Sequence, residues 1–274
     1  MKYLIKNDLK RSFINYSVIF LLILGVIILL IHLQNVILPI VNDPWRAVEE
    51  KKYGIQLTSI NMWLGNENGA NTFGVMDLYY AFMPFLVVLP YASSYLEEWQ
   101  SQYQDMAFTR VSWKKYFVSR YISIFISGSI AYVLPLVISF FVSIIFFKNT
   151  VNSLGYMTHS TAFLSNMHNE HPIGYMLYYL AIITLYAGTT ATVGFAISSF
   201  VRRKILVLII PLLLAFIIHV ALFQFYPQLS FFNLIDPRQP VVGISIWHQL
   251  TILVIWGSLG FIGSYMGMRK HAKF

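Results

Sequence analysis

Glu97 and Glu98 stand side by side in SYLEEWQSQYQDMAFTRVSWKKYF, a stretch with three acidic and three basic residues in a chain of which only 11% is charged. Adjacent carboxylates can share a proton or hold a divalent metal, and either use needs a base partner or further ligands. Other donors lie in MTHSTAFLSNMHNEH, where Met157, His159, Met167, His168 and His171 are of the softer types that suit transition metals, although their spacing is loose. His32 and His219 sit inside long apolar runs, where an ionisable side chain is costly and commonly functional.

None of these sets is completed by a partner in the sequence. The chain contains no HExxH and no GxSxG, and without cysteine it can form neither a disulfide nor a thiolate metal site. The glutamate pair is similar to that of the CAAX-type intramembrane proteases. That family's arginine, four residues after the second glutamate, is replaced here by Gln102, and no intramembrane FxxxH element follows. The histidine and methionine donors read as a solvated loop, and His219 as a neutral histidine bonded to a neighbouring helix. No GxxxxGK[ST] loop is present to cradle a nucleotide phosphate. We therefore assign no catalytic, metal or cofactor-binding residue, and if the chain moves cargo uphill, another polypeptide must hydrolyse the ATP.

The elements that position these residues are membrane helices. Of the 274 residues 57% are hydrophobic and 17% aromatic, well above a soluble domain. Six apolar runs reach the roughly 18 to 20 residues that cross a hydrocarbon core about 30 Å thick. They are placed at about 13–33, 78–96, 121–147, 175–200, 205–223 and 250–268 of one transmembrane domain, 1–274. The first run is too long for a cleavable signal peptide and lacks a small-residue cleavage site. Before it, residues 1–12 carry apolar Tyr3, Leu4, Ile5 and Leu9 between Lys2, Lys6, Asp8, Lys10 and Arg11, the pattern of an amphipathic helix at the interface. Fourteen of the nineteen Lys and Arg residues fall on the side of the termini, so the positive-inside rule places both termini in the cytoplasm; the expected location is a plasma membrane. The net charge of +8 is thus topological and requires no nucleic-acid partner.

Small residues concentrate at Ser127-Gly128-Ser129, at Ala187-Gly188-Thr189-Thr190-Ala191 with Gly194, and at Gly260, Gly263, Ser264 and Gly267. Such positions let helices approach closely, either within the chain or, through Gly263 and Gly267, across a dimer seam. Pro84, Pro90, Pro135 and Pro211 are expected to bend or open their helices. The segment 224–248, with Pro227, Pro237 and Pro240, reads as re-entrant or interfacial, tolerable at that depth only against protein or a wet cavity.

In this topology 97–117 is a cytoplasmic connection between the second and third spans. Trp99, Gln102, Met106 and Val111 or Trp113 recur at helical intervals beside a stripe of Glu98, Gln102, Asp105 and Thr109, which predicts an amphipathic helix parallel to the membrane. Ser112 is expected to cap the next helix, and Arg120 to snorkel to the interface. Either a partner-docking handle or a plain interfacial linker fits this pattern.

An amphipathic N-terminal helix, six spans, a glutamate ending the second span and then E…TRxSxxKYxxxR resemble the membrane subunit of an ABC-2-type ABC transporter. The matching positions are Glu97 or Glu98, Thr109-Arg110-Val111-Ser112, Lys114-Lys115-Tyr116 and Arg120, where relatives often have lysine. Gln102 stands where many have glycine, and the outside loops are longer than in compact members. The resemblance implies an all-α polytopic permease of the type V exporter class, with the ATPase-coupling surface formed by Glu97, Glu98, Trp99, Gln102, Asp105, Met106, Thr109, Arg110, Ser112, Lys114 and Lys115. It also implies two separate ATPase subunits that carry ATP and magnesium, and a second permease subunit, identical or homologous. Apolar, aromatic spans suit an amphipathic or hydrophobic cargo such as a peptide, antibiotic or lipid-like molecule. The alternatives are an intramembrane enzyme and a non-transporting anchor or sensor subunit.

Overall fold

Where lipid replaces water, every backbone N–H and C=O must find a partner within the protein, and a helix does this within one segment. The computed structural model, which describes residues 2–45, 48, 52, 58–63, 75–147 and 163–271, is 82% helix, with no β-strand among those residues. In chain order the helices are α1 (Lys2–Phe13), α2 (Tyr16–His32), α3 (Ser59–Trp63), α4 (Val75–Ala81), α5 (Met83–Leu86), α6 (Ser94–Gln100), α7 (Tyr103–Phe108), α8 (Trp113–Phe146), α9 (Ser165–Glu170), α10 (Pro172–Ser198), α11 (Lys204–Phe223), α12 (Phe231–Ile235) and α13 (Ile246–His271). A π-helical stretch, Leu33–Ile37, extends α2 into Leu38–Asn42. Among the described residues five helices, α2, α8, α10, α11 and α13, are long and apolar enough to cross a membrane, and the chain is a multi-pass membrane protein.

The expected span at 78–96 is not one helix. It consists of α4, α5, a run of turns at 87–93 and the start of α6. Pro84 sits in the first turn of α5, and Pro90 has no N–H to donate. Around them Val88 and Leu89 donate to carbonyls only three residues back, those of Phe85 and Leu86. The break is tolerated because protein surrounds it: Met83, Val87, Val88, Tyr91, Ala92 and Tyr95 are all buried. The Pro90 carbonyl accepts from the Asn15 amide at 3.0 Å, and the Tyr91 carbonyl from the Ser94 hydroxyl at 2.7 Å. Pro135 and Pro211, expected to act similarly, lie inside helices that remain continuous.

Helix α10 is the axis of the bundle. Its most apolar stretch is 78% buried, against 22% for each of α2, α11 and α13, so those three carry the outward apolar faces. Glycines set how closely α13 approaches α10. A Cβ at Gly260 would lie 2.3 Å from Thr192 Oγ1, one at Gly263 2.8 Å from the Ala196 Cβ, and one at Gly267 2.2 Å from the Ser199 Cβ. The Gly263 and Gly267 pair is therefore occupied within the chain. Tyr79 and Tyr132 stack with ring centroids 4.5 Å apart, and each hydroxyl donates to the other's carbonyl, at 2.6 Å and 3.1 Å. The 224–248 segment folds back onto the protein, with Phe231, Leu234 and Ile235 fully buried.

Candidate functional site

The charged stretch is built from two short helices, where one was expected. Gln102 adopts a left-handed conformation (φ 57°), which ends the run begun in α6 and restarts it as α7. This conformation costs a residue with a Cβ roughly 1–2 kcal/mol, and glycine adopts it freely. The break also rotates the faces. Gln104, not selected from the sequence, turns inward and donates to the Tyr95 carbonyl at 3.2 Å, which fastens α7 to α6.

Glu97 is exposed and pairs with Lys204 at 2.5 Å, and Trp99 is half-buried against the His271 ring, centroids 4.2 Å apart. Gln102, Asp105, Met106, Thr109, Arg110, Ser112, Lys114 and Lys115 are exposed, with the Thr109 hydroxyl donating to the Met106 carbonyl at 2.7 Å. Ser112 occupies the N-cap position of α8, but its side chain makes no capping bond. Its carbonyl accepts from the amides of Lys115 and Tyr116 at 3.0 and 3.1 Å.

Glu98 is different, because it points into the protein. Together with Asp8, Tyr91, Tyr116, Ser119 and Arg120 it forms a buried polar cluster where α1, α6 and α8 meet. Arg120 lies at its centre and is fully buried, a correction to the expectation that it would snorkel. Its guanidinium bonds Glu98 Oε2 and the Tyr91 hydroxyl, donates to the Tyr116 hydroxyl at 3.0 Å, and lies 3.7 Å from Asp8 Oδ1. The remaining bonds close the ring: Tyr116 donates to Glu98 Oε2 and Ser119 to Asp8 Oδ2, both at 2.5 Å. Arg11 reaches Glu98 Oε1 from outside at 3.0 Å.

Two carboxylates and two guanidiniums balance formally, as a buried ionic group requires. Burial pushes the Glu98 carboxyl up to about 7, against the pull of the Tyr116 hydroxyl and the Arg11 guanidinium. Glu98 Oε2 accepts from both Tyr116 and Arg120, while Oε1, among the described residues, faces only the Arg11 guanidinium. Mechanically the cluster ties the root of the charged stretch to two other helices, leaving α7 projecting.

A second ionic set lies at the other end of the 75–98 segment. Arg238 binds both Asp77 and Asp236, the latter at 2.8 Å. Burial works against the Arg238 charge, but these two carboxylates hold its pKa well above the ordinary value. Gln239 beside it exchanges hydrogen bonds with the Phe163 backbone at 2.8 and 2.6 Å, which latches the segments together. His32 meets the Met62 carbonyl at 3.0 Å through Nε2, and His219 meets the Ser230 hydroxyl. Met157 and His159 lie outside the described residues. Among those described, no group of three His, Cys, Asp or Glu side chains is placed to hold a metal.

Asp8, Arg11, Tyr91 and Ser119 were not selected from the sequence. One signal did point to them: an arginine within an apolar helix demands a counter-charge, and Asp8 is the only acid in α1. No protein family, curated protein or solved structure matches the chain.

Proposed function

We propose that the chain is the membrane subunit of an ABC-2-type ABC exporter, driven by ATP that two copies of a separate subunit hydrolyse below it. The observation that carries this reading is the contrast within one short segment. Its root is locked by Glu98 to Arg120, while α7 and the turn after it present Asp105, Met106 and Arg110 to solvent. Met106 is 62% exposed, an apolar side chain beside the exposed Asp105. Such a helix suits a groove on a partner, and a push on it would be passed through the cluster into α1 and α8. The absence of a nucleotide-binding loop from the sequence supports an external energy source.

In this reading the broken 78–96 stretch makes a sixth crossing, both termini and α7 face the cytoplasm at the plasma membrane, and a second permease subunit completes the pathway. Apolar walls without a midplane charge favour an amphipathic or hydrophobic cargo. The test is affinity purification of the full chain from membranes, with ATP-dependent efflux as the second readout. The double variant Asp105→Ala with Met106→Ala is expected to insert and melt like the parent but to lose at least about tenfold of the bound ATPase and of efflux. Undiminished ATPase recovery and efflux would remove α7 as the coupling element. Turnover by the purified chain without nucleotide would favour an enzyme instead.

A further inference from the structure

Beside the buried cluster a cavity of about 320 Å³ opens between α1 and α7. Its walls carry three cationic side chains, Lys10, Arg11 and Arg110, together with the amide of Asn7. One acid, Asp8, also borders it, but that carboxylate is already committed: Oδ2 accepts from Ser119, and Oδ1 faces Arg120. Arg11 gives one nitrogen to Glu98 and remains half exposed, with its guanidinium 5.4 Å from the centre of the Tyr103 ring. Among the described residues Lys10 and Arg110 have no acidic partner. The cavity is large enough for a small polar ligand, and its surplus charge is positive.

We propose that this cavity binds the phosphate of an anionic phospholipid, with Lys10 and Arg110 as its principal ligands and Arg11 and Asn7 as supporting donors. A phosphate oxygen takes several N–H donors at once, and arginine presents its donors as a fork matched to that group. Free phosphate has the same chemistry, but the surroundings favour the lipid. Leu4, Ala107 and Val111 form an apolar wall to the cavity, suited to glycerol and the first methylenes. Tyr3 on α1, Ile14 just after it and Tyr16 at the start of α2 are exposed, side chains of the kind that settle at a membrane interface. Because the cavity lies between α1 and α7, a bound lipid would brace the exposed helix against the N-terminal one. The proposal rests on the membrane character of the chain and is independent of the exporter reading.

Native mass spectrometry of the detergent-purified full chain, titrated with phosphatidylglycerol or phosphatidylcholine, tests it directly. Phosphatidylglycerol should be retained preferentially. The double variant Lys10→Gln with Arg110→Gln should lose about tenfold to thirtyfold of that retention, at the scale of one interfacial cation each. The control Arg202→Gln with Arg203→Gln removes equal charge from residues outside the cavity and should retain the lipid as the parent does. If the Lys10, Arg110 variant fails to fold, Asn7→Asp, which adds an anion at the cavity wall, should produce the same loss. Equal retention of the two lipids, or equal loss in both double variants, would overturn the site. Binding of inorganic phosphate alone, without phosphatidylglycerol, would overturn the lipid assignment.

Discussion

Arg120 reaches its carboxylates from α8, yet Asp8 lies more than a hundred positions earlier in the chain, which is why the pairing could not be read locally. Sequence pattern marks a residue's type and helical face; it does not say which distant helix will oppose that face. Glu98 illustrates the consequence. Next to Glu97 it resembles half of an exposed pair, but a single helical step of about 100° separates a carboxylate bonded to exposed Lys204 from one bonded to buried Arg120. Because burial raises the Glu98 pKa to about 7 in the folded protein, folding favours its protonated form. Its contribution to stability is therefore full below the ordinary carboxylate range and is lost as pH rises through about 7. Thermal melts in detergent between pH 5 and 8 should show the parent losing several degrees relative to Glu98→Gln as pH rises. Parallel profiles for the two proteins would show that Glu98 does not titrate as its burial requires.

Among the elements, the apolar runs of α2, α8, α10, α11 and α13 were legible, because a helix in lipid needs only length and hydropathy. The 75–98 segment was not, since the same apolar composition serves a continuous helix in lipid and an irregular one enclosed by protein. Small residues were legible as contact points but ambiguous as to partner. The structure resolves that ambiguity by seating Gly260 and Gly263 against Thr192 and Ala196 of α10, and Gly267 against Ser199 at its C-cap. Gly260→Val should cost about 1–3 kcal/mol or more, because the added atoms have no space short of separating α13 from α10. Ile262→Val, on the outward face of the same helix, should stay within about 0.5 kcal/mol. The two melting temperatures in detergent, read beside the oligomeric state from size exclusion, decide between seams. If the glycine variant changes oligomeric state without lowering the melting temperature, the seam lies between chains.

At the scale of the molecule, the broken segment constrains how the protein can be made. Its backbone is satisfied by contacts from Asn15, by neighbouring turns and by the helices that enclose it, so it has no stable way to stand alone in lipid. Synthesis delivers residues 75–98 long before α10, residues 172–198, exists to cover them. Order of emergence and order of settlement must therefore differ, and the segment has to wait at the insertion machinery or at the membrane edge. The chain has no cysteine, so a single introduced thiol reports its position without interference. Val88→Cys, at a fully buried site, should resist a water-soluble maleimide in the complete chain and react in a chain stopped at residue 171. Protection in both would mean that the segment settles without its enclosure. Reaction in the short chain alone would make α10 the element whose arrival completes biogenesis, and its loss a cause of degradation even when every earlier helix has been correctly made.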